Sequence, residues 1–413
     1  MMNDFSWIDS GLTSAEFCSS DRFLEALSIL RMQDPVHWTA GSTVRPFWSV
    51  TSYAGCRAVL DNAEAFSSRR GGFMPLNDDI PSPEQERMMG IGFIPTHVDP
   101  PEHMRVRKPL SPYFSPSAAA RYREAIEAVV SSIMDSIKPK GACDLVSDVA
   151  QELPARFICS LLGVPEEDQP RIAHLTRGVM SAEDPEYQID NDPVKTRKHY
   201  QGELFRYAAK HTVSRRGQPA SDLAGLIANT DVATGDPITD THLGWWTFAL
   251  FVGGLETTRS VISLGTKALI EWPEQMEMLR RNPQIAPLAV EELLRWVSPS
   301  RQKFRIATRD IEVEGKTIKA GDWVVCWLSS ANRDPLAFHE PERLQLDRKP
   351  NAHLSFGSGE HRCMGQNFAR LELQAMFRAI SAELGDLELA AEPVVEPSTF
   401  ANSVARMPVR FRV

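Results

Sequence analysis

The apolar positions of this chain follow two rhythms and divide it unevenly. Near the start, "PVHWTA" and "PFWSVTS" carry β-branched and aromatic residues on either side of a Gly-Ser turn, which predicts two strands. "YAGCRAVLDN" after them has the spacing of a short helix. From roughly Pro101 to Thr230, and again from Thr239 to Val297, apolar residues recur with a helical period. Only the tail returns to alternation, with "IEVEG", "DWVVCWLS" and "MPVRFRV" as strand candidates. Between Ser67 and Pro101 runs a long irregular stretch rich in Gly, Pro, Asp and Met, of the kind that is usually functional or mobile inside a compact protein. There is no internal repeat and no convincing linker. A length of 413 residues would by itself suggest two or three domains, but the pattern favours one large domain, residues 1–413, mainly α with a small β region.

The most informative segment is "TDTHLGWWTFALFVGGLETTRSVISLGTKALIEW", residues 239–272. Thr239 and Asp240 offer N-caps, and Pro273 marks the far end. Residues 243–255 are apolar almost all round, as in a helix buried on every side; thirteen such residues are too few for a membrane span. In the middle stand Gly253 and Gly254, followed by Glu256 and Thr257. Each glycine weakens a helix by about 1 kcal/mol relative to alanine. One reading is a close helix crossing with a solvent-facing Glu. The other is a local opening of the hydrogen-bond ladder that makes room for a small ligand, with the Glu–Thr pair carrying protons to it.

Composition narrows the function. A net charge of −9 argues against general nucleic-acid binding, which needs a basic surface. Six scattered cysteines without a C-x-x-C pair suit a reducing compartment and argue against a disulfide framework or zinc site. The N-terminus has neither a basic n-region nor an apolar run, so the expectation is a soluble, cytoplasmic protein with no membrane anchor. Cys363 stands apart from the other five. It lies in "HLSFGSGEHRCMGQNFARLELQ", where Gly357, Gly359 and Gly365 let the chain turn tightly against a flat object just before a helix. A thiolate there is favoured by the positive helix end, which lowers its pKa.

This loop resembles the haem-ligand signature of the cytochrome P450 family, F-x-x-G-x-x-x-C-x-G. Gly253-Gly254-Leu255-Glu256-Thr257 is similar to the family's A/G-G-x-D/E-T motif, and Glu292 with Arg295 fits its E-x-x-R pair. "PERL" (341–344) resembles its P-E-R-F segment, with Leu344 where Phe is commoner. "HVDPPEHMRVRKPLSPYFSP" (97–116) resembles the H-x-x-x-R stretch of its bacterial members. The resemblance implies the P450 fold over essentially the whole chain, with haem b between the long central helix and the cysteine loop. It implies Cys363 as the thiolate that binds iron and favours O–O cleavage on the opposite side.

Further roles follow from the same resemblance. Glu256 and Thr257 become the acid–alcohol pair of proton delivery, and Gly253 and Gly254 the walls of the dioxygen groove. His103, Arg107, Arg305 and His353 become partners of the haem propionates, with His361 either joining them or supporting the loop. Phe356, Gly357 and Gly365 shape the haem loop. Glu292, Arg295 and Arg343 form a structural ion-pair network behind it. The implied reaction is hydroxylation of a mostly apolar small molecule, terpenoid, steroid-like or fatty, with O2 and two electrons. Desaturation, coupling and C–C cleavage share the same iron chemistry. Electrons would come from a ferredoxin and an NAD(P)H-dependent ferredoxin reductase, with Arg105, Lys108 and Arg362 steering an acidic partner. The implied pocket is residues 71–96, Phe248–Thr257, Val297–Gln302 and Phe400–Ala405. A peroxide-driven enzyme, an electron carrier or a gas sensor would not need the Glu256–Thr257 pair.

Overall fold

The computed structural model describes residues 4–41, 44–76, 82–230 and 238–413. Its axis is a helix at Asp240–Glu271, about 48 Å long at 1.5 Å per residue. Thr239 caps it, its hydroxyl accepting from the His242 amide while the His242 side chain accepts from the Thr239 amide, and Pro273 begins the next helix. The segment is α-helical throughout. No break in the helix makes the opening foreseen at Gly253-Gly254; the space comes from the missing side chains.

Among the helices that pack around this axis are Glu152–Leu161, Gln169–Met180, Pro193–Val213, Ala286–Val297 and Gln366–Glu383. The all-round apolar character of 243–255 therefore has its cause: Leu243, Trp245, Trp246, Phe248, Phe251 and Leu255 are all buried within one large helical core. The predicted helical run from Pro101 to Thr230 is broken by a short strand at Ala142–Asp144, which pairs with Pro408–Arg412 near the C-terminus.

The β region is mainly one five-stranded sheet. Its order is Val36–Thr39, Phe47–Val50, Trp323–Trp327, Gln302–Ala307, Phe66–Ser67. The first two strands pair antiparallel, Phe47–Val50 runs parallel to Trp323–Trp327, and the remaining pairs are antiparallel. All five residues of Trp323–Trp327 are buried. Alternation along Gln302–Ala307 sets Phe304 into the core beneath the sheet, with Lys303 and Arg305 on the other face.

Behind the cysteine loop lies a buried polar cluster. Glu292 takes both forks of Arg295, at 2.8 Å each, and also accepts from Arg348 Nε (3.0 Å), Asn351 Nδ2 (3.0 Å) and the Gln345 amide (3.0 Å). Arg295 in turn donates to the Asn332 and Pro341 carbonyls. The third side chain of this network is thus Arg348 and not Arg343. The Arg343 side chain is largely exposed, reaching Glu340 only at 3.9 Å, and gives the cluster just its backbone carbonyl. Removing one partner of a buried pair strands a charge and costs about 3–5 kcal/mol. Arg348→Ala should therefore lower unfolding stability by roughly that much, while Arg343→Ala stays within about 0.5 kcal/mol of wild type in the same denaturant titration.

Candidate active site

The cysteine loop is held at its base by one amide. Asn332 Nδ2 donates to Ser298 Oγ (2.8 Å) and Ser355 Oγ (3.0 Å), and its Oδ1 accepts from the Leu354 amide (2.7 Å). Ser355 Oγ reaches back to the Leu294 carbonyl at 2.7 Å, so the loop hangs from the end of the helix that carries Glu292 and Arg295. Gly357 (φ +70°) and Gly359 (φ +65°) turn the chain in the left-handed region. A Cβ on Gly359 would stand 2.5 Å from the Leu60 carbonyl oxygen, which leaves no alternative to glycine there. The Cys363 amide closes the turn on the Phe356 carbonyl at 2.8 Å, and the next helix starts at Gln366.

Cys363 has accessible surface because its loop opens onto a cavity of about 730 Å3 inside the protein. The thiol does not have the lowered pKa foreseen from the helix end. Burial raises it above the ordinary value, against the pull of the Gly365 amide and of Lys303, Arg107 and Arg370. Phe356, Gly365, Phe368 and Leu294 line the cavity near the sulfur, and Gly253, Gly254, Thr257 and Thr258 of the central helix line it too. Apart from the helix's own backbone and the two neighbouring residues, no atom of the described residues lies within 4 Å of where a Gly253 Cβ would sit, whereas at Gly254 it would touch Ile158 at 3.2 Å. Gly253 therefore opens space while Gly254 allows a helix contact. Neither alternative weighed for the glycine pair holds as stated: the helix does not open, and Glu256 is buried and does not face solvent.

The acid–alcohol pair is split. Thr257 faces the cavity and donates its hydroxyl to the Gly253 carbonyl at 3.1 Å. Glu256 is buried and does not line the cavity. Its Oε2 is bound by Arg259 (2.8 Å to Nε), which also grips Glu396, itself paired with Arg177 at 2.8 Å. Its Oε1 is buried without a hydrogen-bond partner. Glu256 thus belongs first to a buried charge cluster, which places it behind Thr257 and away from the open space.

A second cluster has the opposite character. The His103 and His361 rings lie 4.1 Å apart, with both ring nitrogens of His103 and Nε2 of His361 buried and without partners. Burial and the adjacent Arg107 and Arg305 push His103 down to about 4. Burial, Arg305, His103 and Arg107 push His361 to about 2. Glu360 approaches His103 Nδ1 no closer than 3.8 Å. Two neutral imidazoles and two guanidiniums with spare donors thus converge beside the cavity, an arrangement that fits anionic groups entering from it. His353 is not part of it. Its Nε2 lies 3.1 Å from Glu291 and its Nδ1 accepts from the Ser355 amide, and it does not line the cavity. Burial opposes the ionisation of Glu291, but His353 and Arg370 hold its carboxyl down at about 2. His353 is therefore tied to Glu291 and to its own loop, apart from the His103–His361 pair.

Of the pocket segments read from the sequence, residues 77–81 lie outside the described residues. Phe73, Pro95, Phe248, Val252, Pro299, Ser300 and Phe400 do line the cavity. Sequence reasoning missed Glu372. It lines the cavity from the helix after Cys363, is 4% exposed, and leaves Oε2 without a partner. It sits in an apparent amphipathic stretch, "ARLELQ", that reads as an ordinary solvent-facing acid.

The profile of the family Cytochrome P450 matches residues 45–384. A steroid C26-monooxygenase of Mycolicibacterium smegmatis is 30% identical over 99% of this chain and 94% of its own length. A methyl-branched lipid omega-hydroxylase of Mycobacterium bovis is 31% identical over 97% and 94%. Among solved structures, cytochrome P450 CYP268A2 of Mycobacterium marinum, in complex with pseudoionone, superposes with a TM-score of 0.88 at 33% identity, covering 95% of each chain. This chain belongs to the cytochrome P450 family. It has that family's fold and is a monooxygenase of the haem–thiolate class. Among the described residues, no helix is long and apolar enough to cross a membrane.

Burial pushes the Glu372 carboxyl up to about 8, so the native protein keeps this proton at neutral pH. The unfolded chain releases it near the ordinary 4.5, so from there to about 8 the native state binds more protons and Glu372's contribution to stability falls as pH rises. Glu372→Gln removes that titration. Its thermal midpoint should gain steadily on the wild type between pH 4.5 and 8 and hold a constant offset at lower pH. A gap independent of pH across the window would mean that this carboxyl is not buried.

Proposed function

We propose that this enzyme binds haem b with Cys363 as its single protein ligand and hydroxylates a mostly apolar small molecule. The reading is carried by one observation: the Cys363 sulfur, Arg107 and His361 line the same cavity, and His361 adjoins His103, whose ring nitrogens are buried without partners among the described residues. Cys363 would hold the iron, and His103, Arg107, Arg305 and His361 would receive the two propionates. Haem, when bound, supplies the activation of dioxygen that no side chain of this protein can perform.

The chain's own residues do the rest. Phe73, Phe248, Val252, Met180 and Phe400 line the cavity with apolar surface that desolvates and orients a substrate. Gly253 keeps a space open beside the central helix, and Thr257 holds a hydroxyl proton at Oγ1 on the edge of that space. Glu256, fixed by Arg259, sets the charge behind Thr257 instead of touching the substrate. Terpenoid, steroid-like and fatty substrates all suit this lining; the steroid and lipid activities of the relatives named above support the same range.

Electrons would come from a ferredoxin and its NAD(P)H-dependent reductase, in the cytoplasm. Arg105, Lys108 and Arg362 are exposed, and Arg362 is the residue next to Cys363, so an acidic partner would meet positive charge close to the sulfur.

The test is turnover under 18O2 with a surrogate ferredoxin, its reductase and NADPH. One 18O atom per product molecule, dependent on NADPH, is the expected result; oxygen derived from water, or product formed without reductase, would contradict the reading. Thr257→Ala should keep haem and substrate binding but yield about tenfold less product per NADPH consumed, the scale of one misplaced proton-transfer group. Coupling equal to wild type would remove Thr257 from proton handling.

A further inference from the structure

One side of the cavity carries buried positive charge that the haem reading leaves unused. Arg197, on the helix Pro193–Val213, lines the cavity, and its Nε is buried without a hydrogen-bond partner. Its guanidinium lies 5.4 Å from the ring of Phe73, which packs 4.5 Å from the ring of Phe400. On the far side of that aromatic pair, the Lys303 ammonium stands 5.4 Å from the Phe400 ring, also at the cavity wall. Neither cation has an ion pair within 4 Å among the described residues.

The one carboxylate whose charge is felt at Arg197 is Glu183, and its oxygens are committed to Thr399 and Ser398. Arg197 is half-buried, and its Nε, which is fully out of water with no partner among the described residues, is costly to leave so. Burial lowers the pKa of Arg197 from its ordinary value and brings Lys303 down to about 8. Lys303 shares a strand face with Arg305, two residues on, and lies within the field of Cys363, so it also borders the propionate side. Arg197 has no such neighbour. Phe73 and Phe400 between the two cations offer apolar and cation–π surface but no counter-charge.

We infer that the substrate of this cavity is an amphiphilic monocarboxylate, an apolar body whose carboxylate is received by Arg197, with Lys303 as a second positive neighbour across the Phe73–Phe400 pair. The inference rests on the reading of the cavity as the seat of haem and an apolar substrate, and it narrows that reading. A carboxylate matches a planar guanidinium in bidentate fashion. With Glu183 close by, the local surplus suits one negative charge better than the two of a phosphate monoester. Anchoring the head at Arg197 would leave the hydrocarbon to run along Phe73, Phe248 and Val252 toward Gly253 and Thr257.

The test is calorimetric titration of the haem-loaded enzyme, with the ferric Soret shift followed in parallel. Two matched pairs serve as probes: dodecanoate with 1-dodecanol, and abietate with abietinol. In the wild type at least one acid should bind about tenfold more tightly than its alcohol, as expected for one charge-assisted pair in a dry site. Arg197→Gln should bring that ratio close to one, and Arg197→Lys should retain part of it. Alcohols that bind as well as or better than their acids would overturn the inference and leave the apolar-substrate reading standing. An acid preference that survives Arg197→Gln would equally overturn the assignment to Arg197. Failure of all four probes to bind a haem-loaded protein would defeat the apolar-substrate reading itself, and the inference with it.

Discussion

Everything in this molecule that bears on chemistry depends on holding one irregular loop rigid against a cavity. Leu354–Gly365 has little regular secondary structure to fix it, so its position is imposed from behind. Asn332 spends its whole side-chain amide on Ser298, Ser355 and Leu354. Its carbonyl is gripped by Arg295, which is itself locked to Glu292. The loop is thereby referenced to a helix that packs on the central axis, and the sulfur to the glycine-lined side of that axis. Such a buried ionic cluster is a poor way to gain stability, because the desolvation of its charges offsets their attraction. Its effect here is on geometry.

The charges around the cavity fall into three groups of different duty, two of them positive and one neutral. Among His103, Arg107, Arg305 and His361, the two guanidiniums each give one bond to a backbone carbonyl, and no carboxylate of the described residues comes closer than Glu360, 3.8 Å from His103. Glu256, Arg259, Glu396 and Arg177 form a closed and nearly balanced set behind Thr257. Arg197 and Lys303 have no ion-pair partner among the described residues on the substrate side. A closed set is a structural arrangement, whereas the two open ones are places where a guest of opposite charge gains most. This contrast separates residues that hold the protein together from residues that hold something else.

Much of this was legible in the chain, and the failures have a common cause. Gly357, Gly359 and Cys363 announce themselves because backbone conformation and a reactive atom tie residue type to position. The central helix was clear from its all-round apolar stretch and its cap. What the sequence hides is where a polar side chain points. Glu256 reads as a partner of Thr257, yet adjacent residues on a helix point about 100° apart, and Arg259 draws the acid away. Arg343 and Arg348 are both plausible behind the loop, and only the fold shows which turns inward. His353 and His361 are eight residues apart in one loop, and only the fold shows that His353 meets Glu291 while His361 meets His103. Glu372 gave no signal at all, because burial is a property of the packed helix. Asn332 likewise lies far from the loop in sequence and meets it only through the fold.

The most direct test of the central claim, that Cys363 presents a thiolate to haem in this cavity, is the absorption spectrum of the dithionite-reduced protein under carbon monoxide, wild type beside Cys363→Ser. The account predicts the strongly red-shifted Soret band of thiolate-ligated haem in the wild type, and its loss in a variant whose circular dichroism is unchanged. The same red-shifted band in the variant, or an unshifted carbonyl band in a well-folded wild type, would contradict it.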